Sequence, residues 1–145
     1  MEKRLKNKNI LHPKLSYLIC GLCFKAHNEL GRYKSEKQYA DAFEELLKES
    51  NIEYKREKAL PESFKGEKAR RNIPDFVIKD KIIVDFKAKR IITKEDYYQL
   101  RRYLDSYGKE LGLIVNFREY YLKPKRVLNK FVDSDKNSDH SDNVI

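Results

Sequence analysis

The segment Ile73-Pro74-Asp75-Phe76-Val77-Ile78, followed by Lys79-Asp80-Lys81 and then Ile82-Ile83-Val84-Asp85-Phe86-Lys87-Ala88, constrains this chain more than any other. Two apolar runs of strand length joined by three polar residues predict a β-hairpin. Alternation sends Phe76, Ile78, Ile82, Val84, Phe86 and Ala88 to one face, all suited to a core. The other face carries Asp75, Val77, Ile83, Asp85 and Lys87. With a three-residue connection Asp75 comes opposite Asp85, and directly opposed residues have Cβ atoms about 4.5–5.5 Å apart. Two carboxylates that close repel each other, and a divalent cation shared between them removes that cost. Lys87 lies two residues beyond Asp85, on the same face. A lysine there could orient and help deprotonate an attacking water, or neutralise charge developing on a phosphate. The other reading is a solvated hairpin face. Glu53-Tyr54-Lys55 repeats the acid-x-Lys triplet, so the triplet means nothing without its hairpin context.

The flanking sequence predicts the layers around this hairpin. Pro13 can open a helix in which Leu15, Leu18, Ile19, Leu22, Cys23, Ala26 and Leu30 form an apolar stripe ending at Gly31. Ser35 with Gln38 is a capping-box pair for a second helix carrying Tyr39, Ala42, Phe43, Leu46 and Leu47. Residues 52–59 alternate loosely as a strand, and the basic connection 61–72 has room for another short one. Thr93 with Asp96 caps a third helix, whose stripe is Tyr97, Leu100, Leu104 and Tyr107 and whose end is Gly108. Residues 111–117 are a continuous apolar run, as for a strand covered on both faces, and 123–129 suit a last edge strand. There is no internal repeat. The expected fold class is α/β, a sheet flanked by helices.

Composition narrows the partners. Of 145 residues, 32 are Lys or Arg and 23 Asp or Glu, a net charge of +9. The polar segment 130–145 holds Lys130 and Lys136 against Asp133, Asp135, Asp139 and Asp142, so the remainder is more basic still. The expected organisation is a basic arm over 1–13, one domain over 14–129, and a disordered acidic tail over 130–145. A basic surface attracts phosphate backbones, which points to a nucleic-acid partner. No apolar run reaches the roughly 20 residues of a membrane-spanning helix. The basic start lacks the apolar core of a secretory leader, and two cysteines do not staple a domain. A cytoplasmic location is therefore expected.

Other residues offer chemistry of their own. Glu36 opens the second helix, where an acid is also favoured by the helix dipole alone. Gln99 and Tyr103 lie one turn apart on the third helix, beside Arg102 and off the Leu100/Leu104 stripe. They could hold a nucleic-acid strand or simply form a partly exposed flank. Cys20, Cys23 and His27 share a helix face, but a zinc site needs a second half that the sequence lacks, so helix packing is expected for them.

Taken together, these residues resemble the PD-(D/E)XK nuclease superfamily, and within it the GxxExxY family of small prokaryotic proteins. The resemblance spans about residues 14–129. It rests on 26–31 (AHNELG), 36–39 (EKQY), the hairpin 73–88, 99–104 (QLRRYL) and 111–117 (LGLIVNF), in the family's order. It implies a restriction-endonuclease-like core, a mixed central β-sheet flanked by helices. It implies Asp75 and Asp85 as metal-binding carboxylates, with the Phe86 carbonyl completing the metal shell. Lys87 would be the catalytic lysine and Glu36 the helix-borne acid. Gln99 and Tyr103 resemble the Q-x-x-x-Y element of RecB-type nucleases, and with Arg71, Lys89, Arg90 and Arg102 they are the candidate nucleic-acid contacts. The implied activity is Mg²⁺- or Mn²⁺-dependent hydrolysis of phosphodiester bonds, with DNA favoured over RNA. The alternative is a nucleic-acid-binding module of the same fold with little or no turnover. Tyr33 stands where the family's name motif has glycine, three residues before Glu36.

Overall fold

Two apolar faces on one hairpin require two covering layers, and the computed structural model supplies both. It describes residues 11–129; most of the basic arm and the acidic tail over 130–145 lie outside the described residues. In chain order the elements are α1 (Pro13–Leu30), α2 (Glu36–Glu49), β1 (Tyr54–Arg56), β2 (Phe76–Ile78), β3 (Ile82–Lys87), α3 (Lys94–Tyr107), β4 (Leu111–Asn116) and β5 (Lys125–Leu128). The five strands form one sheet in the order β1-β2-β3-β4-β5. Only β3 and β4 run parallel. A parallel neighbour cannot be reached by a tight turn, so α3 makes the crossover between them.

Local chemistry sets the helix ends. Pro13 sits in the first turn of α1. Ser35 and Gln38 bond reciprocally at the start of α2, as do Thr93 and Asp96 at the start of α3. Gly108 closes α3 in a left-handed conformation, φ 67°. The hairpin turns through Lys79 and Asp80, both at positive φ, with Lys81 N bonded to Ile78 O at 2.9 Å. Positive φ at both central residues gives a turn whose twist matches that of the flanking strands.

The strands divide by parity. Phe76, Ile78, Ile82, Val84 and Phe86, with Leu111, Leu113 and Val115 of β4, pack under α1 and α2. Phe43 meets both Phe76 and Phe86 edge-on, at 4.9 and 5.1 Å, and Tyr39 stacks on Phe117 at 4.2 Å. Cys23 is fully buried in this cluster and Cys20 packs against it. His27 Nε2 lies 2.9 Å from the Glu119 carbonyl, which can only accept, so the imidazole donates there. Val77, Ile83 and Ile114 face the other way, against Tyr97, Leu100, Tyr103 and Leu104 of α3.

Two elements differ from the sequence expectation. The connection 61–72 holds turns, not a strand. Its backbone groups bond instead to side chains and to a neighbouring loop. Ser63 N donates to Glu67 Oε1 at 2.7 Å, and Leu60 N to Asn72 O at 2.8 Å. The first strand shrinks to three residues because Glu57 takes a left-handed conformation, φ 53°.

Candidate active site

The pairing of β2 with β3 runs Ile78↔Ile82, Val77↔Ile83 and Phe76↔Val84. One step further sets Asp75 opposite Asp85, and the next would set Pro74 opposite Phe86. Pro74 has no N–H to give the Phe86 carbonyl, so the ladder stops there. The Phe86 amide donates to the Asp75 side chain, at Oδ2, 2.6 Å. Asp75 N points at Asp85 Oδ1, 3.4 Å away, and Asp75 O accepts Glu57 N at 3.0 Å. In a strand the N–H and C=O of one residue point to the same edge. The Phe86 carbonyl therefore looks to the edge where the Asp75 carboxylate stands.

Lys87 is held on three sides. Its Nζ lies 3.4 Å from Asp85 Oδ2, 3.0 Å from Gln99 Oε1 and 3.8 Å from Asp96 Oδ1. Asp96 also takes Lys89 Nζ on both oxygens, at 2.9 and 2.8 Å, and Thr93 N at 2.8 Å. Burial alone would raise the Asp96 carboxyl, but the bonds from Lys89 and Thr93 outweigh it and hold it below the ordinary range. One acid thus anchors the helix start and two lysines together.

The acid pair behaves in the opposite way. Asp85 is 4% exposed. Burial first, and then the charge of Asp75, push its carboxyl up to about 8, against the pull of Lys87. Burial raises Asp75 too, while the Phe86 amide, Asp85 and Lys87 oppose the rise. Both carboxyls therefore hold their protons to higher pH than exposed aspartates do. Tyr103 is pushed up to about 12, by burial and then by the charges of Asp85 and Asp75.

The structure gathers some of the expected residues and separates others. Asp75, Asp85, Lys87 and Gln99 converge. Tyr103 lies inside the α3 cluster at 7% exposure, not on an open flank, so its ring belongs to the core between α3 and the sheet. Its burial follows from the narrow gap between α3 and the sheet, which covers more than the Leu100/Leu104 stripe. Arg71, Arg90 and Arg102 are exposed, and Lys89 is half-buried through its bond to Asp96. Glu36 is exposed at the start of α2. Among the described residues no third acid, histidine or cysteine completes a metal-holding group.

Sequence reasoning passed over three residues that shape the site. Asp96 was visible only as a cap. Asn116 is 4% exposed; its Oδ1 accepts Lys89 N at 3.1 Å and its Nδ2 donates to Lys89 O at 2.7 Å. The one signal for it was an amide in an otherwise apolar strand. Arg118 reaches back, its guanidinium donating to Ala88 O at 3.2 Å. The residues leaving β3 are thereby fixed by side chains from β4 and the segment after it.

Two opposed carboxylates beside a carbonyl edge are hard oxygen donors, and their mutual repulsion is what a small divalent cation relieves. The donor set therefore fits a hard divalent cation. A mixed five-stranded sheet between helices, bearing these groups on its central hairpin, is a restriction-endonuclease-like α/β fold. A family model for the PD-(D/E)XK nuclease superfamily matches residues 13–128, and the chain belongs to that superfamily. No curated protein and no solved structure matches it.

Proposed function

We propose that this chain is a divalent-metal-dependent nuclease of the GxxExxY type that hydrolyses phosphodiester bonds of DNA. The carrying observation is the opposed pair of half-buried Asp75 and buried Asp85, with Lys87 Nζ 3.4 Å from the second carboxylate. Asp75, Asp85 and the Phe86 carbonyl would hold the cation, Mg²⁺ or Mn²⁺. When bound, it supplies positive charge at the scissile phosphate and lowers the pKa of water. Lys87 Nζ donates to Gln99 Oε1 at 3.0 Å, and the Asp96 carboxylate attracts it from 3.8 Å; together they aim the group along the hairpin face. From there it orients the attacking water and stabilises charge developing on the phosphate. Lys89, Arg90, Arg71 and Arg102 supply phosphate contacts around this face, and affinity is expected to fall with salt. Glu36 is exposed at the start of α2, and among the described residues it completes no metal-holding group with the pair.

The test is a metal titration of purified protein on labelled single-stranded and duplex DNA and RNA. Cleavage should need Mg²⁺ or Mn²⁺, vanish with EDTA, and vanish in Asp85→Ala. Binding without cleavage on every substrate, with either metal, would make the chain a binding module that keeps the fold.

A further inference from the structure

Three tyrosines stand open to solvent around one edge of the fold. Tyr33 is 75% exposed, Tyr120 68% and Tyr121 73%. Tyr33 belongs to the turn between α1 and α2; the other two follow β4. Two arginines lock these segments together. Arg32 Nε donates to Arg118 O and Arg118 Nε to Arg32 O, both at 2.9 Å. The same guanidinium groups lie against the rings. Arg32 is 5.1 Å from the centre of Tyr33 and 5.7 Å from that of Tyr120, and Arg118 is 5.7 Å from Tyr33. Tyr120 and Tyr121 pack edge to face at 4.8 Å.

Among the described residues nothing covers the outward faces of these rings. Among the described residues no carboxylate pairs with Arg32 or Arg118. Glu119, the acid nearest in sequence, accepts Lys123 N instead. The cluster is therefore aromatic, positively charged and uncompensated. It also adjoins the catalytic hairpin. Phe117 N donates to Lys87 O at 2.9 Å, and Arg118 donates to the carbonyl of Ala88, the next residue.

Exposed ring faces backed by guanidinium groups suit unpaired bases, which stack on any aromatic plane while the cations meet phosphates. Duplex bases are already stacked on their neighbours and cannot reach such rings. We propose that Tyr33, Tyr120 and Tyr121, with Arg32 and Arg118, form a stacking platform for single-stranded nucleic acid. The platform leads the strand to the Asp75–Asp85–Lys87 hairpin; only that destination rests on the nuclease reading. It also gives a role to Tyr33, the residue at which this chain leaves the glycine pattern of the family it resembles.

The test is equilibrium binding in EDTA, where cleavage cannot interfere. The probes are fluorescein-labelled dT20 and a blunt 20-base-pair duplex. Tyr33→Ala/Tyr120→Ala should lose roughly tenfold or more in affinity for dT20 and less than about twofold for the duplex. Tyr33→Phe/Tyr120→Phe, which keeps both rings, should bind dT20 like wild type. Matching melting temperatures will show that all three proteins are folded, as expected for exposed side chains. Equal losses on both probes, no loss on dT20, or no wild-type binding of dT20 would each overturn the platform. Cleavage with Mg²⁺ or Mn²⁺ is scored separately. An inactive wild type that still loses dT20 binding on removal of the rings sinks the nuclease reading and leaves the platform standing.

Discussion

Asp75 Oδ2 accepts the Phe86 amide at 2.6 Å, a side-chain bond just beyond the last β2–β3 backbone pair, Phe76↔Val84. This bond fixes the first carboxylate against β3, so that the second, two residues from Lys87, meets it without freedom to turn away. Preorganisation of this kind is what places an ion and a cationic side chain around a phosphate.

Lys87 is assigned to the reaction step, and its removal should separate chemistry from binding. Lys87→Ala should lower cleavage at least ~100-fold while leaving most nucleic-acid affinity, which comes from many phosphate contacts. Glu36→Ala should cost less than about tenfold, because that side chain is exposed and completes no metal-holding group with the acid pair among the described residues. Single-turnover cleavage with parallel binding measurements checks both. Wild-type cleavage by Lys87→Ala would place the active site elsewhere.

The raised Asp85 carboxyl gives the metal-free protein a pH-dependent stability of defined sign. From pH ~4 to ~8 the native state holds a proton that the unfolded chain has released. Stability from this group therefore falls as pH rises through that window and is fully lost above it. Asp85→Asn should melt several degrees higher than wild type at pH 9, on the order of 1–3 kcal/mol, with the difference shrinking towards pH 4. Millimolar Mg²⁺ should raise the wild-type melting temperature at pH 8 and leave Asp85→Asn unchanged. Thermal melts across pH, with and without Mg²⁺, decide it.

Asp96 carries two duties that one substitution can separate. Asp96→Ala removes the cap on Thr93 N and both lysine contacts, and should cost about 1–2 kcal/mol of stability together with activity. Asp96→Asn keeps an acceptor for the cap, so most stability should remain while cleavage falls, since Lys87 and Lys89 lose their shared anion. Urea melts and kcat for the two variants test the split; equal stability losses would show that the acid acts only through the fold.

At Gly112 of β4, α3 comes close to the sheet. A Cβ placed there would meet the Leu100 side chain at 3.0 Å. Gly112→Ala should destabilise by about 1–3 kcal/mol, read from chemical denaturation, because Leu100 is fully buried and has little room to shift.

The hairpin was legible because its information is local. Alternating apolar residues around Lys79-Asp80-Lys81 set which side chains share a face, and that parity alone put Asp75 beside Asp85 and Lys87 with them. Both capping boxes, the Gly108 stop and the buried run of β4 were visible for the same reason: each is decided within a few residues of chain. The superfamily was legible too, from motifs kept in order along the sequence. What tertiary structure alone decided involves groups far apart in the chain. The distance between α3 and the sheet buried Tyr103 and gave Asp96 two lysines as partners. The orientation of α2 left Glu36 exposed, which its favourable place at a helix N-terminus could not foretell. The Arg32–Arg118 exchange, across 86 residues, brought Tyr33 and Tyr120 to one edge. A sequence fixes periodicity and capping through neighbouring residues, but packing between layers sets which distant side chains meet.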